Sequence, residues 1–199
     1  MATRFPGWCS LLTSTAIIGI GAFQKGSVPV GLWFMSETAD RDCLEPRPGE
    51  WMKPEEFENV IRLTPLVAID LVVRSPEGKV LVGRRTHEPA KDVFFVPGGR
   101  ITKNEPLAAA FRRISCEELG VELLLDDARF LSVNEHMYPT NRFNKKGFGT
   151  HYITLAYEIV RALEIAGLPM DQHGEYAWMT PAELLGSAQV HENTKVYFR

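Results

Sequence analysis

The chain predicts an α/β fold, a mixed sheet with helices packed on it. Three observations predict it: apolar runs of strand length recur from residue 64 onward, one long amphipathic helix divides them, and a capped helix follows the last of them. Pro65 to Val73 (PLVAIDLVV) reads as a buried strand carrying a single charge, Asp70. Ser75-Pro-Glu-Gly78 is a turn and Lys79 to Arg85 a second strand, together a hairpin. Val93 to Val96 is a third apolar strand, ended by Pro97-Gly98-Gly99. Pro106 to Leu119 has helical spacing, with Leu107, Phe111 and Ile114 on one stripe, and Gly120 stops it. Arg129 to His136, Thr150 to Val160 and Glu175 to Met179 read as further strands. Thr180 as N-cap, Pro181 at the first helical position and Glu183 at the third start the last helix.

Residues 52–199 are expected to be the folded domain, opening on a short helix at Pro54 to Arg62. Residues 1–51 are expected to be an extension, weakly ordered or preceding the true start at Met52. The apolar stretch Trp8 to Phe23 superficially resembles a signal peptide, the second reading of this segment. It is short for a membrane span and is diluted by Ser, Thr and Gly. With 45% hydrophobic and 24% charged residues, the chain can bury an ordinary core. A net charge of −3 gives no general attraction to nucleic acid or an anionic membrane, so cations at a site must be local. Cys9, Cys43 and Cys116 have neither an even count nor metal-ligand spacing, which implies reduced thiols and a cytoplasmic setting. No internal repeat is present.

The chemistry concentrates between residues 97 and 121. Gly98-Gly99 lets the backbone approach a charged ligand closely. Glu105 follows Gly99 after five residues, and after seven more comes Arg113-Ile114-Ser115-Cys116-Glu117-Glu118-Leu119-Gly120-Val121. Arg113 and Glu117 are four apart and can pair on one helix face. Ile114 and Glu118 share another face.

This register resembles the Nudix box, Gly-(5 residues)-Glu-(7 residues)-Arg-Glu-aliphatic-x-Glu-Glu-x-Gly-aliphatic, with two departures. Ile114 stands where a Glu is expected and Ser115 where an aliphatic residue is expected. The resemblance implies an α/β/α sandwich with a mixed sheet and a divalent metal held against a diphosphate. Without the second carboxylate beside Glu118, one metal is expected instead of two, because two divalent ions need a denser anionic cluster. That favours breaking a carbon–oxygen bond.

Thr64 to Asp70, Gly83-Arg-Arg85-Thr, Phe95 to Arg100, Thr150-His-Tyr152, Asp171-Gln172-His173 and Val190-His191-Glu-Asn193 narrow the likeness. Together they resemble the GDP-mannose mannosyl hydrolases, from about Met52 onward. The resemblance implies release of GDP and mannose by water attack at the anomeric carbon with inversion, with GDP-glucose as a further substrate and a homodimeric assembly. It implies that the Gly98 carbonyl, Glu118 and Gln172 hold one Mg²⁺ or Mn²⁺, all of them oxygen donors. It further implies that His173 is the general base and that Arg85 and Arg100 contact the diphosphate. Asp70, Arg113, His136, Tyr138 and Tyr152 match family positions near the substrate.

Each residue also has a plainer reading. A histidine in the polar run Met170 to Glu175 is otherwise a solvated loop residue, and Arg85 a strand-end charge. Asp70 must have a partner, because an unpaired buried carboxylate is costly, but a structural Arg and a site role serve equally. His136, Tyr138 and Tyr152 are equally readable as packing residues. Two functional alternatives stay open: a pyrophosphohydrolase that splits the phosphoanhydride, with Glu117 partly replacing the absent carboxylate, and a non-catalytic nucleotide-sugar-binding module.

Overall fold

The computed structural model describes residues 52–199. The expected extension, its apolar stretch, Cys9 and Cys43 lie outside the described residues. Among those described, strands β1 (Leu66–Arg74), β2 (Val80–Arg85), β3 (Phe94–Phe95), β4 (Gly98–Arg100), β5 (Arg129–Tyr138), β6 (Thr150–Val160) and β7 (His173–Met179) form one mixed sheet. Its main path runs β3-β2-β1-β6-β5, with β4 added to β1 and β7 added to β2. β1 pairs with β6 in parallel along its whole length, and β5 pairs with β6 antiparallel.

The expected hairpin is only partly formed. β1 and β2 pair at Arg74 and Val80 alone, beside the turn. Beyond that point they part, because β1 takes β4 from Ala68 to Asp70 while β2 takes β7 and β3. Gly98 to Arg100, read from sequence as the end of a strand, is itself a strand. Two glycines have little strand propensity, so pairing with β1 supplies the order. A side chain at Gly98 would come within 2.6 Å of the Ile69 carbonyl oxygen and 2.7 Å of Asp70 Oδ1, so only glycine fits this approach.

Strand alternation sorts the core onto two faces. On one, Ile69, Leu71, Val73 and Leu81 pack against Phe111, Ile114 and Leu119 of helix α2 (Leu107–Leu119). On the other, Val72, Val80 and Val82 pack against Leu184 of helix α3 (Pro181–Gly186), Val190, Tyr197 and Phe198. The result is the expected α/β/α sandwich. Helix α2 ends at Gly120 in the left-handed conformation, φ 67°. The expected capping box opens α3: Thr180 Oγ1 accepts from the Glu183 N–H, and Glu183 Oε2 accepts from the Thr180 N–H. The N-terminal helix, α1 here for Pro54–Leu63, is as expected, whereas the short helix Glu192–Lys195 (α4) and the turn Val196–Phe198 had no sequence signal. No helix among the described residues is long and apolar enough to cross a membrane.

Ile114 explains the departure in the box. It is fully buried in the α2 face of the core, and its side chain lies directly over Gly99. Ser115 is also buried, its hydroxyl donating to the Arg112 carbonyl and accepting from the Leu123 N–H, which ties α2 to the chain that follows. Ile114→Ala should destabilise the fold by about 2–5 kcal/mol through lost burial and a residual cavity. Ile114→Glu should cost more, because it buries an unpaired charge. Urea unfolding midpoints check both; a wild-type midpoint for either variant would contradict this account of the position.

Candidate functional site

The pairing register assembles the site. Ala68 and Asp70 of β1 lie opposite Thr154 and Ala156 of β6, and His136 of β5 lies opposite Tyr152 of β6. These positions share the sheet face away from α2. A cavity of about 350 Å³ opens over them, walled among others by Asp70, Arg85, Gly98, Arg100, Arg113, Glu117, His136, Tyr138, Tyr152 and Gln172. With Gly99, eleven of the sequence-selected or box residues therefore line one cavity. Glu118 and His173 stand behind it, 2% and 3% exposed.

Glu118 is the centre of the buried part. Gln172 Nε2 donates to its Oε1 at 2.6 Å, and His173 Nε2 lies 3.1 Å from its Oε2. Tyr176 donates to the Pro169 carbonyl at 2.8 Å and packs its ring 5.1 Å from that of His173. His173 is thus the first residue of β7, not a solvated loop histidine. Its Nδ1 is buried without a hydrogen-bond partner among the described residues and faces Gly83, where an added Cβ would lie 2.5 Å away. A neutral imidazole that donates from Nε2 to a carboxylate keeps its lone pair on Nδ1. In this geometry that lone pair points at backbone and not into the cavity.

The arginines divide by what they hold. Arg113 commits all three nitrogens: Nε and Nη2 to Glu105 at 2.7 and 2.8 Å, Nη1 to Glu117 at 2.8 Å, and Nη2 also to the Arg100 carbonyl at 2.9 Å. It braces α2 against β4, so the position matched to the substrate is also structural. Burial would raise the Glu105 carboxyl, but hydrogen bonds from Arg113 and Thr102 outweigh it and hold the group below its ordinary range. Arg85 is different. Its Nε is buried with no partner among the described residues, and its guanidinium lies 5.8 Å from the Phe95 ring centre. A buried donor of this kind on a cavity wall calls for an anionic acceptor. Arg100 lies 4.0 Å over the Phe57 ring.

Asp70 has its required partner, and it is not an arginine. The Tyr197 hydroxyl donates to Asp70 Oδ2 at 2.5 Å and lies 3.4 Å from His136 Nε2. Thr154 Oγ1 lies 3.4 Å from His136 Nδ1. Burial lowers the His136 pKa to about 4, so the ring is neutral at pH 7. Tyr197, Asp70 and His136 therefore form one buried polar cluster at this end of the cavity. Sequence reasoning missed Tyr197, Thr154, Phe57, Arg142 and Phe143. None belongs to a spaced pattern, and Tyr197 is 127 residues from its partner.

Residues 64–199 match the model of the NUDIX domain family. The low-salt glycan biosynthesis protein Agl8 of Haloferax volcanii is 37% identical over 145 residues, covering 72% of this chain and 88% of that protein. Two solved structures share the fold. A MutT NUDIX hydrolase from Burkholderia pseudomallei has a TM-score of 0.54 at 24% identity, over 68% of this chain and 96% of that one. The MutT protein from Methanosarcina mazei Go1 has a TM-score of 0.52 at 18% identity, over 67% and 91%.

Asp70 also supplies a pH test. Burial, only partly offset by the Tyr197 hydrogen bond and the Arg85 charge, raises it from 3.8 to about 7. Between those values the folded chain keeps a proton that the unfolded chain has released, so stability falls as pH rises through that interval. The full effect is on the order of 4 kcal/mol and is constant above the folded pKa. Asp70→Asn removes this titration, so its melting-temperature advantage over wild type should grow from pH 4 to 7 and then level off. Thermal melts in chelator read this; a difference independent of pH would show that Asp70 is not a raised carboxyl.

Proposed function

The chain belongs to the NUDIX family, and from that premise we propose that it hydrolyses a nucleoside-diphosphate sugar, GDP-mannose foremost, to the nucleoside diphosphate and free sugar. The observation that carries the reading is Ile114, buried in the core where the ordinary box has a metal-edge carboxylate. It leaves Glu118 as the carboxylate gathered with Gln172 and His173. The glycan biosynthesis role of the Haloferax volcanii relative supports a sugar-bearing substrate.

Nudix hydrolases generally use divalent metal ions. Among the described residues no cluster of three or more His, Cys, Asp or Glu side chains could hold one. The proposed set has a different composition: the Gly98 carbonyl, one Glu118 oxygen and the Gln172 side-chain oxygen. These are hard oxygen donors of the kind Mg²⁺ and Mn²⁺ take, so the residues fit the ion. Gly98, with no room for a Cβ, and Gln172, already in contact with Glu118, are both on the cavity wall. When bound, the ion supplies positive charge beside the departing diphosphate.

The chain's own groups do the rest. Arg85 and Arg100 hold the diphosphate, the first through its unpartnered buried nitrogen. Asp70 and His136, fixed by Tyr197, face the sugar at the polar end of the cavity. A water oxygen bonds to the anomeric carbon as the carbon–oxygen bond to the diphosphate breaks, and its electron pair leaves with the diphosphate. The transition state has oxocarbenium character. His173 takes the proton from the water, for which its ring must first release Glu118 and turn a nitrogen toward the cavity.

Glu117 favours one second reading. Its side chain is 46% exposed and on the cavity wall, so it is placed to assist phosphoanhydride cleavage instead. Hydrolysis in ¹⁸O-water separates the two: label in the free sugar is expected, and label in a phosphate product defeats attack at carbon. His173→Gln should lower turnover by about 10²–10⁴-fold while nucleotide-sugar binding persists. Unchanged turnover would remove His173 from the reaction.

A further inference from the structure

Three carboxylates line the cavity: Asp70, Glu88 and Glu117. Two of them are committed. Asp70 accepts from the Tyr197 hydroxyl and Glu117 from Arg113. Glu88 has no part in the reaction proposed above and lies outside every motif that carries the family resemblance. It makes no ion pair among the described residues. Its hydrogen-bond partner is neutral, the Thr140 hydroxyl, which donates to Oε2 at 2.7 Å.

The surrounding chain is built to hold Glu88 there. It belongs to the β2–β3 connection, residues 86–93. At the start of this connection, Thr86 donates its N–H and its hydroxyl to the Gln172 carbonyl, at 3.1 and 3.0 Å. At its end, the Arg85 N–H donates to the Val93 carbonyl at 3.1 Å and the Asp92 N–H to the Arg85 carbonyl at 3.0 Å. Ala90 and Asp92 have φ of 62° and 65°, a conformation that residues with a side chain keep only where their surroundings impose it. The partner residue is equally fixed. Thr140 precedes Asn141, which is fully buried and sets the shape of the β5–β6 connection. Asn141 Nδ2 donates to the Lys145 and Phe148 carbonyls, and its Oδ1 accepts from the Phe143 and Lys145 N–H groups.

We propose that Glu88 is a specificity-determining residue that reads a vicinal diol of the ligand, accepting hydrogen bonds from two neighbouring hydroxyls. The inference rests on the nucleotide-sugar reading and deepens it. A carboxylate only accepts, so the group it meets must donate. The diphosphate has acceptors of its own and repels a like charge. Two N–H groups on a base edge need both carboxylate oxygens free in one plane, and Thr140 holds one of them. Hydroxyl hydrogens rotate to suit, so Oε1 and the remaining lone pair of Oε2 can take two of them. A nucleoside-diphosphate sugar has such diols in its ribose and in its hexose. A wall group built to bond hydroxyls discriminates against ligands that lack them.

Glu88→Gln tests it, because glutamine keeps an oxygen for Thr140 while the charge and one acceptor are lost. Titration calorimetry with Mg²⁺ compares pyrophosphate, GDP and 2′,3′-dideoxy-GDP. For GDP-mannose the KM is measured, or the Kd where there is no turnover. Pyrophosphate should bind the variant as tightly as the wild type or more tightly, since a negative charge has gone. With the ribose as the diol, GDP weakens about tenfold and dideoxy-GDP does not. With the hexose as the diol, both nucleotides are unchanged and the GDP-mannose value rises about tenfold. Glu88→Ala should repeat the pattern at larger size. The proposal is overturned if no ligand tells Glu88→Gln from the wild type, or if pyrophosphate weakens alongside the others. The nucleotide-sugar reading fails separately, when the wild type turns over no nucleotide sugar although one diol-bearing ligand still depends on Glu88.

Discussion

A carboxylate taken out of water must find donors, and Glu118 finds them in two consecutive residues more than fifty positions along the chain. Gln172 and His173 close on its two oxygens. This contact joins α2 to the start of β7, so the box helix and the chain before β7 are held as one unit. Its energy is that of a buried, charge-assisted network, in which removal of either donor leaves the other groups uncompensated. The same contact gives the site its tension. Glu118 is met by the Gln172 amide and the His173 ring, whereas the proposed reaction asks Gln172 for its oxygen and His173 for its lone pair.

Around that contact, ordinary strand alternation does most of the placing. Even-numbered positions of β1 and β6, and of β5 beyond its bulge at Phe130–Ser132, take the cavity face and odd-numbered positions of β1 face α2, and parallel pairing of β1 with β6 holds them in step. Asp70 interrupts an apolar strand because it is on the cavity side, between Ala68 and Val72. The same parity explains Ile114. Its side of α2 meets Gly99 and the odd face of β1, a dry layer with no space for a charge. The loss of a carboxylate there is a gain for the core.

Most elements were legible in the sequence because their signals are local: hydrophobic period, a capping box, a glycine at a helix end. The strand pattern of β1, β6 and β7, the helix α2 and the start of α3 all came from such signals. β4 was not legible, since Gly98 and Gly99 become a strand only through β1. The open geometry of β1 and β2 was likewise hidden, because a turn sequence reports how two strands meet and not where they part. In the site, Glu118, Gln172 and His173 do meet, and they were singled out through the family resemblance and not by spacing. Tyr197, Asn141 and Phe143 act through contacts whose partners are distant or backbone, and no spacing announces them. Asp70 was recognisable as a residue that needed a partner, but not which one.

The bond from Tyr197 to Asp70 has a consequence for the order in which the molecule is made. Asp70 belongs to the first strand of the sheet to leave the ribosome, while the hydroxyl that orients it arrives 127 residues later. Contacts so far apart in the chain form late, after the intervening loop entropy has been overcome. A nascent domain with its sheet and α2 already in place would therefore still lack a finished polar end to its cavity.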